Sequence, residues 1–195
     1  MGTYSSATRQ GAYEPFELQV ARGQVDGHKT LFKFGINGDV GTSVETVWAQ
    51  GGTYVYPASA TVMKISSSSA DDASGGTGAR TIAIFGLDAN YDEISESVLL
   101  DGQTAVNTGN SYLRISRMYV TTAGSGATAA GTIYAGTGTV TSGVPATVYG
   151  MITLTANQTQ MAFWTVPAGY TLYLMGVFFT SANSTANAST NFQLI

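Results

Sequence analysis

The chain has 195 residues, of which only 10% are charged, and it carries a formal net charge of −4 at pH 7. Its eight Lys and Arg residues are scattered along an acidic background, which excludes a surface built to neutralise phosphates. The absence of cysteine excludes disulfides, thiolate metal sites and cysteine nucleophiles together.

The length is enough to bury a core without staples. The 24 Gly residues, with abundant Thr, Ser and Ala, suit strands and turns better than long helices. The expectation is an all-β chain: an antiparallel β-sandwich over residues 16–195, preceded by an extended N-terminal arm over residues 1–15. No apolar run is long enough to span a bilayer, and the first residues lack the blocks of a signal peptide, so synthesis in a cytoplasm is expected.

Residues 16–20 alternate, with Phe16, Leu18 and Val20 against Glu17 and Gln19, and predict a first strand. A turn at residues 25–28 leads to a second strand over 29–36, and Asn37, Gly38 and Asp39 signal another turn. Residues 43–50 predict a strand around Val44, Thr46 and Trp48, and Pro57 marks a strand end or an edge. Val62, Met63 and Ile65 predict a strand over 61–66. Residues 66–78, rich in Ser, Gly and Asp, read as an exposed, mobile loop in which Asp71 and Asp72 are solvated charges.

Residues 80–120 show the plan most clearly. Ile82 and Ile84 point one way, with Ala83, Phe85 and Leu87 the other; Ile94, Val98 and Leu100 share a face; residues 111–120 form a third run. Residues 87–92 are a polar tip between the first two runs. Asp101-Gly102 is the strongest hairpin signal, because a type I′ turn needs positive φ at both central residues. Residues 121–143 read either as a connection or as thin edge strands, with a weak strand at 131–135. Residues 145–155 restore alternation through Val148, Ile152 and Leu154.

Residues 159–180 predict an apolar hairpin turning at Val166-Pro167-Ala168-Gly169. Its second strand is apolar on both faces. Tyr170, Leu172, Leu174 and Phe178 lie on one, and Tyr173, Met175, Val177 and Phe179 on the other. If one face packs in the sandwich, the other needs a cover from another sheet of the chain or from another subunit, which makes Tyr173, Met175, Val177 and Phe179 the candidate subunit interface.

Candidate chemistry is sparse. His28 is the sole histidine and sits in a turn with no G-x-S-x-G elbow, so a turn residue is preferred to a catalytic base. Asp88, Asn90 and Asp92 begin like a calcium loop, but Glu93 and Leu99 stand where such a loop needs Gly and a bidentate Glu, so a hairpin tip is preferred. Asp92, Glu93 and Glu96 have no spacing that sets two carboxylates across a cleft, and read as a polar strand face. Asn157-Gln158-Thr159 matches a glycosylation acceptor by coincidence of composition. Trp48, Trp164 and the tyrosines either pack or line a sugar-binding surface, with packing preferred. No enzyme activity and no cofactor or metal is expected.

The run Ile84-Phe85-Gly86-Leu87-Asp88-Ala89-Asn90-Tyr91-Asp92-Glu93-Ile94, followed by Glu96, Val98, Leu100, Asp101-Gly102, Val106 and Ser111-Tyr112-Leu113-Arg114-Ile115, resembles a segment of capsid decoration (cement) proteins of tailed bacteriophages, particularly those of marine and cyanobacterial phages. It covers about a fifth of the chain. The resemblance implies a jelly-roll-like sandwich that sits as a trimer on the outer surface of the capsid of the virion and bridges major capsid protein subunits. It also implies a docking role for the arm, with Tyr4, Arg9 and Tyr13 as candidate contacts. A tail fibre, tail spike or adaptor component and a carbohydrate-binding module are the alternatives, and neither nucleic acid nor membrane is an expected partner.

Overall fold

The computed structural model describes residues 14–182 and 190–194. Two antiparallel sheets face one another. The first has the order β4-β1-β6-β7, from strands β1 (Thr61–Ser67), β4 (Val106–Tyr112), β6 (Ile133–Thr141) and β7 (Val144–Ile152). The second has the order β3-β2-β5, from β2 (Ala79–Leu87), β3 (Glu93–Leu99) and β5 (Arg114–Ala123). The ladders therefore lie between residues 61 and 152. β3 packs across from β4 and β5 across from β7.

The alternation that predicts the central strands also fills the core. Met63 and Ile65 of β1 meet Ile82 and Ile84 of β2, with Val98, Tyr112, Ile115, Met118, Ile133 and Ile152 closing around them. Phe85 points away from this core and stacks on Tyr119 of β5 at 5.7 Å between centroids, an outer-face pair of neighbouring strands. The polar tip between β2 and β3 is a hairpin turn: Asp88 Oδ1 accepts from the Asn90 and Asp92 amides at 2.8 and 3.0 Å, and Tyr91 takes a positive φ of 64°.

Several sequence expectations are corrected. Residues 16–20 are the start of a helix, α1 (Phe16–Ala21), bounded by Pro15 before it and a left-handed Gly23 just after it. Residues 29–36 form no ladder, and residues 43–50 form only the Trp48–Met161 bridge. Residues 111–120 are not one strand. The chain leaves the first sheet at Tyr112 and enters the second at Arg114, with Leu113 as the corner between β4 and β5.

Asp101-Gly102 does not close a type I′ hairpin. Only Gly102 has positive φ, the turn runs from Asp101 to Thr104 with a 3.0 Å amide-to-carbonyl bond, and the strands it joins belong to different sheets. The two-residue hairpin with both central φ values positive is Ser142-Gly143, at 49° and 78°, between β6 and β7. β7 ends at Ile152, and Leu154 lies beyond it, exposed. Residues 170–179 adopt no strand either. Tyr4, Arg9, Tyr13 and most of the expected arm lie outside the described residues.

Candidate functional site

The residues with catalytic potential are engaged in building turns and joining sheets. His28 is exposed, donates from Nδ1 to the Asp26 carbonyl at 3.1 Å, and stands edge-on to Phe16. Among the described residues, no group of three or more His, Asp or Glu side chains is placed to hold a metal ion. Asn157 has a positive φ of 57°, accepts from the Ala129 amide and donates to the Ala127 carbonyl, while Thr159 is buried with its hydroxyl accepting from the Met118 amide.

Asp72 departs from the reading of residues 66–78 as an exposed loop of solvated charges, although Ser68, Ala70, Ser74, Gly75 and Thr77 are exposed. Its side chain is wholly buried. Oδ1 accepts from the amides of Ala79 (2.7 Å) and Ala130 (2.8 Å), and Oδ2 accepts from the Ser67 hydroxyl (2.6 Å) and the Gly131 amide (2.9 Å). One carboxylate thus ties the end of β1, the start of β2 and the connection between β5 and β6. Charge-assisted bonds of this kind offset the cost of burying an ion, which is otherwise several kcal/mol. The amide of Gly102 donates to the Asp72 carbonyl at 2.8 Å and brings the link between β3 and β4 to the same end of the sandwich. Asp71, in contrast, is exposed.

Glu96 is the second buried-face carboxylate. It shares its side of β3 with Ile94 and Val98, so it faces the other sheet, where it accepts from the Gly109 and Asn110 amides at 2.7 and 3.0 Å and from the Tyr112 hydroxyl at 3.0 Å. Burial, and then the adjoining Glu96 carboxylate, push the Tyr112 phenol up from its ordinary range. Glu45 organises the loop from Asn37 to Gly52. The Asn37 amide group, followed by the Gly41 and Gly52 amides, holds its carboxyl below the usual range.

The aromatic residues divide. Trp48 is buried, donates from Nε1 to the Gly51 carbonyl at 2.7 Å, and meets Tyr54 edge-on at 4.8 Å. Tyr54 donates its hydroxyl to the Tyr149 carbonyl at 2.8 Å, and burial raises its pKa. With Met161 and Phe163 these rings form a second apolar cluster against Val148 and Tyr149 of β7. Trp48 is therefore a packing residue with no face for a sugar. Trp164 is half-buried in the wall of a shallow cleft.

The remaining candidate is an exposed apolar surface. Tyr173 is 72% exposed, Met175 67%, Val177 43% and Phe179 48%. The opposite side of the segment is equally bare: Tyr170, Leu172, Leu174 and Phe178 are exposed as well. The expectation that one of these faces packs inside the sandwich is thus corrected. The turn before them is formed, with the Tyr170 amide donating to the Pro167 carbonyl at 3.3 Å, Gly169 at φ 77°, and the Ala168 amide donating to the Tyr91 carbonyl. Beyond Tyr170, residues 171–182 make no backbone hydrogen bond among the described residues.

A second bare stretch lies beside it. Leu31, Phe32, Phe34 and Ile36 are exposed, Phe32 most of all, and the backbone of residues 30–36 makes no hydrogen bond among the described residues. Thr30 to Phe34, with Arg117, Gln158 and Thr159, line a cleft of about 340 Å³. Lys29 joins the two stretches, its ammonium donating to the Tyr170 hydroxyl at 3.2 Å and lying 3.7 Å from Glu93; the Tyr170 contact, then Glu93, raises its pKa.

Lys33 donates to the Ser116 carbonyl in the cleft, and burial, with the charge of Arg117, pulls its pKa down to about 8. The unfolded lysine keeps its proton up to the ordinary lysine value of 10.5. From about pH 8 upwards the unfolded state therefore binds more protons than the folded one, and stability rises with pH in that window. Urea unfolding at about pH 7.5 and about pH 9.5 is expected to show the wild type gaining on the order of 1–2 kcal/mol relative to Lys33→Met. Parallel behaviour of the two proteins would show that Lys33 is not buried as a cation.

Comparison of the chain with protein-family models, with curated proteins and with solved structures gives no match.

Proposed function

We propose that the chain is a virion structural protein that binds the outer surface of a tailed-phage capsid and stabilises the shell by bridging major capsid protein subunits, acting as a trimer with a jelly-roll-like sandwich as its body. The observation that carries this reading is the pairing of a two-sheet sandwich with an uncharged, two-sided apolar segment over residues 170–179, a surface that calls for protein partners. The resemblance of residues 84–115 to decoration proteins supplies the partner, and the acidic balance suits a face turned away from packaged DNA.

The mechanism is mechanical. A subunit that binds the assembled lattice and not free coat protein stabilises the lattice by mass action, and repeated contacts add avidity. The arm, with Tyr4, Arg9 and Tyr13, orders on docking in this reading. A tail fibre or adaptor shares the β-rich composition, whereas the burial of Trp48 weighs against a sugar-binding module. Labelled protein seen by electron microscopy over the whole head in many copies is the expected result. Label confined to the tail would overturn the proposal in favour of the tail component.

A further inference from the structure

We infer that residues 170–179 of one copy form a β-strand against residues 30–36 of a neighbouring copy, so that identical chains join head to tail into a closed ring. The inference deepens the oligomeric part of the capsid reading and names the surfaces that make it. Tyr170, Leu172, Leu174 and Phe178 alternate with Tyr173, Met175, Val177 and Phe179, and a strand apolar on both sides belongs in a sheet covered on both faces. In the single chain both sides face water, except that Phe179 stacks on Phe192 at 4.6 Å between centroids.

Size favours a stable subunit contact over a passing one. Eight large side chains at an average exposure near 60% leave roughly 900 Å² of mostly apolar surface open, as much as one partner contributes to a standard protein interface. Backbone supports the same view, because residues 171–179 leave their amides and carbonyls without partners among the described residues. An open apolar edge of this length invites another strand.

The acceptor is on the same chain. Residues 30–36 are also without backbone hydrogen bonds, and Phe32 is 80% exposed. Within one chain the side chains of Lys29 and Tyr170 meet, and no backbone bond joins the two stretches among the described residues. Residues 170–182 carry no charge, and the single charge of residues 30–36, Lys33, already donates to Ser116, so no charge repulsion opposes the pairing. Donor and acceptor are different surfaces, which makes the contact heterologous, and heterologous contacts generate rings when the rotation closes.

The test uses the purified full-length chain without capsids. Sedimentation velocity should show a closed oligomer, and hydrogen exchange should show amides 171–179 slowed about 100-fold or more relative to an unstructured peptide. Leu174→Asp with Phe178→Asp removes the donor, and Phe32→Asp removes the acceptor; each variant should be monomeric and still melt cooperatively, because these side chains are exposed in the single chain. An equimolar mixture of the two variants should form a heterodimer through the one intact donor and the one intact acceptor. A monomeric wild type, an oligomer that survives either variant, a mixture that stays monomeric, or slowed exchange that persists in a monomer would each overturn the pairing; the last would place a segment of the same chain over the strand. Heads decorated by a wild type that is monomeric in solution would overturn this pairing alone, whereas an oligomer that leaves capsids bare would overturn the capsid reading alone.

Discussion

Asp72→Ala is expected to lower the free energy of unfolding by about 4–5 kcal/mol, a loss large enough to unfold much of a marginal domain. The substitution removes a fully buried carboxylate and leaves the amides of Ala79, Ala130 and Gly131 and the hydroxyl of Ser67 facing an empty site. Each buried donor left without a partner costs about 1–3 kcal/mol, and relaxation or water entry recovers part of the sum. Asp72→Asn keeps one acceptor oxygen but turns a donor towards other donors, so its cost should fall at about 2–3 kcal/mol. Urea unfolding monitored by tryptophan fluorescence measures both. A loss below about 1 kcal/mol for the alanine variant would mean that the end of the sandwich is not held by this carboxylate.

Gly143→Ala is expected to cost about 3–4 kcal/mol, from two sources that can be separated. The first is conformational: Gly143 sits at φ 78°, where an L-residue is strained by about 1–2 kcal/mol. The second is steric, since a Cβ built on Gly143 would overlap the Ser67 carbonyl of β1. Relieving that overlap moves the turn between β6 and β7 away from β1 and breaks the 2.9 Å bond from the Ser66 hydroxyl to the Gly143 carbonyl. Gly23→Ala is the control, because Gly23 has a similar φ of 67° and nothing within 4 Å of the added Cβ. Thermal unfolding should show the Gly143 variant clearly less stable than the Gly23 variant. Equal losses would leave only the conformational source.

The sandwich was legible where alternation had a partner to act on. Ile82 and Ile84 in β2 and Met63 and Ile65 in β1 face the core as their spacing predicts. The corner at Leu113 was not legible, because no Gly or Pro marks it and Leu113 and Ile115 continue one alternating pattern across two sheets. Glu96 could have been found by phase, since it falls in register with Ile94, Val98 and Leu100 on the face that has to be buried. The helix at Phe16–Ala21 also had its signals, in Pro15 and Gly23, which outweigh the short alternation between them.

Asp72 had no such signal. Two of its donors, Ala130 and Gly131, lie 58 and 59 residues away, and a stretch of Ser, Gly and Asp looks the same whether water or backbone amides satisfy its carboxylate. The segments at 30–36 and 170–179 fail as strands for a different reason. Their residue types have strong β preference, but a strand exists only where a ladder partner does, and within the single chain neither segment meets one. Tyr173, Met175, Val177 and Phe179 are exposed, and their opposite face, which was expected to be covered, is open as well.

The most direct test of the capsid reading is the thermal unfolding of expanded, undecorated capsids with and without the purified chain at saturating concentration. Because the chain is proposed to bind the assembled lattice alone, the account predicts a melting temperature that rises with chain concentration and saturates when the lattice sites are filled. Capsids that melt at the same temperature with and without the chain would contradict it.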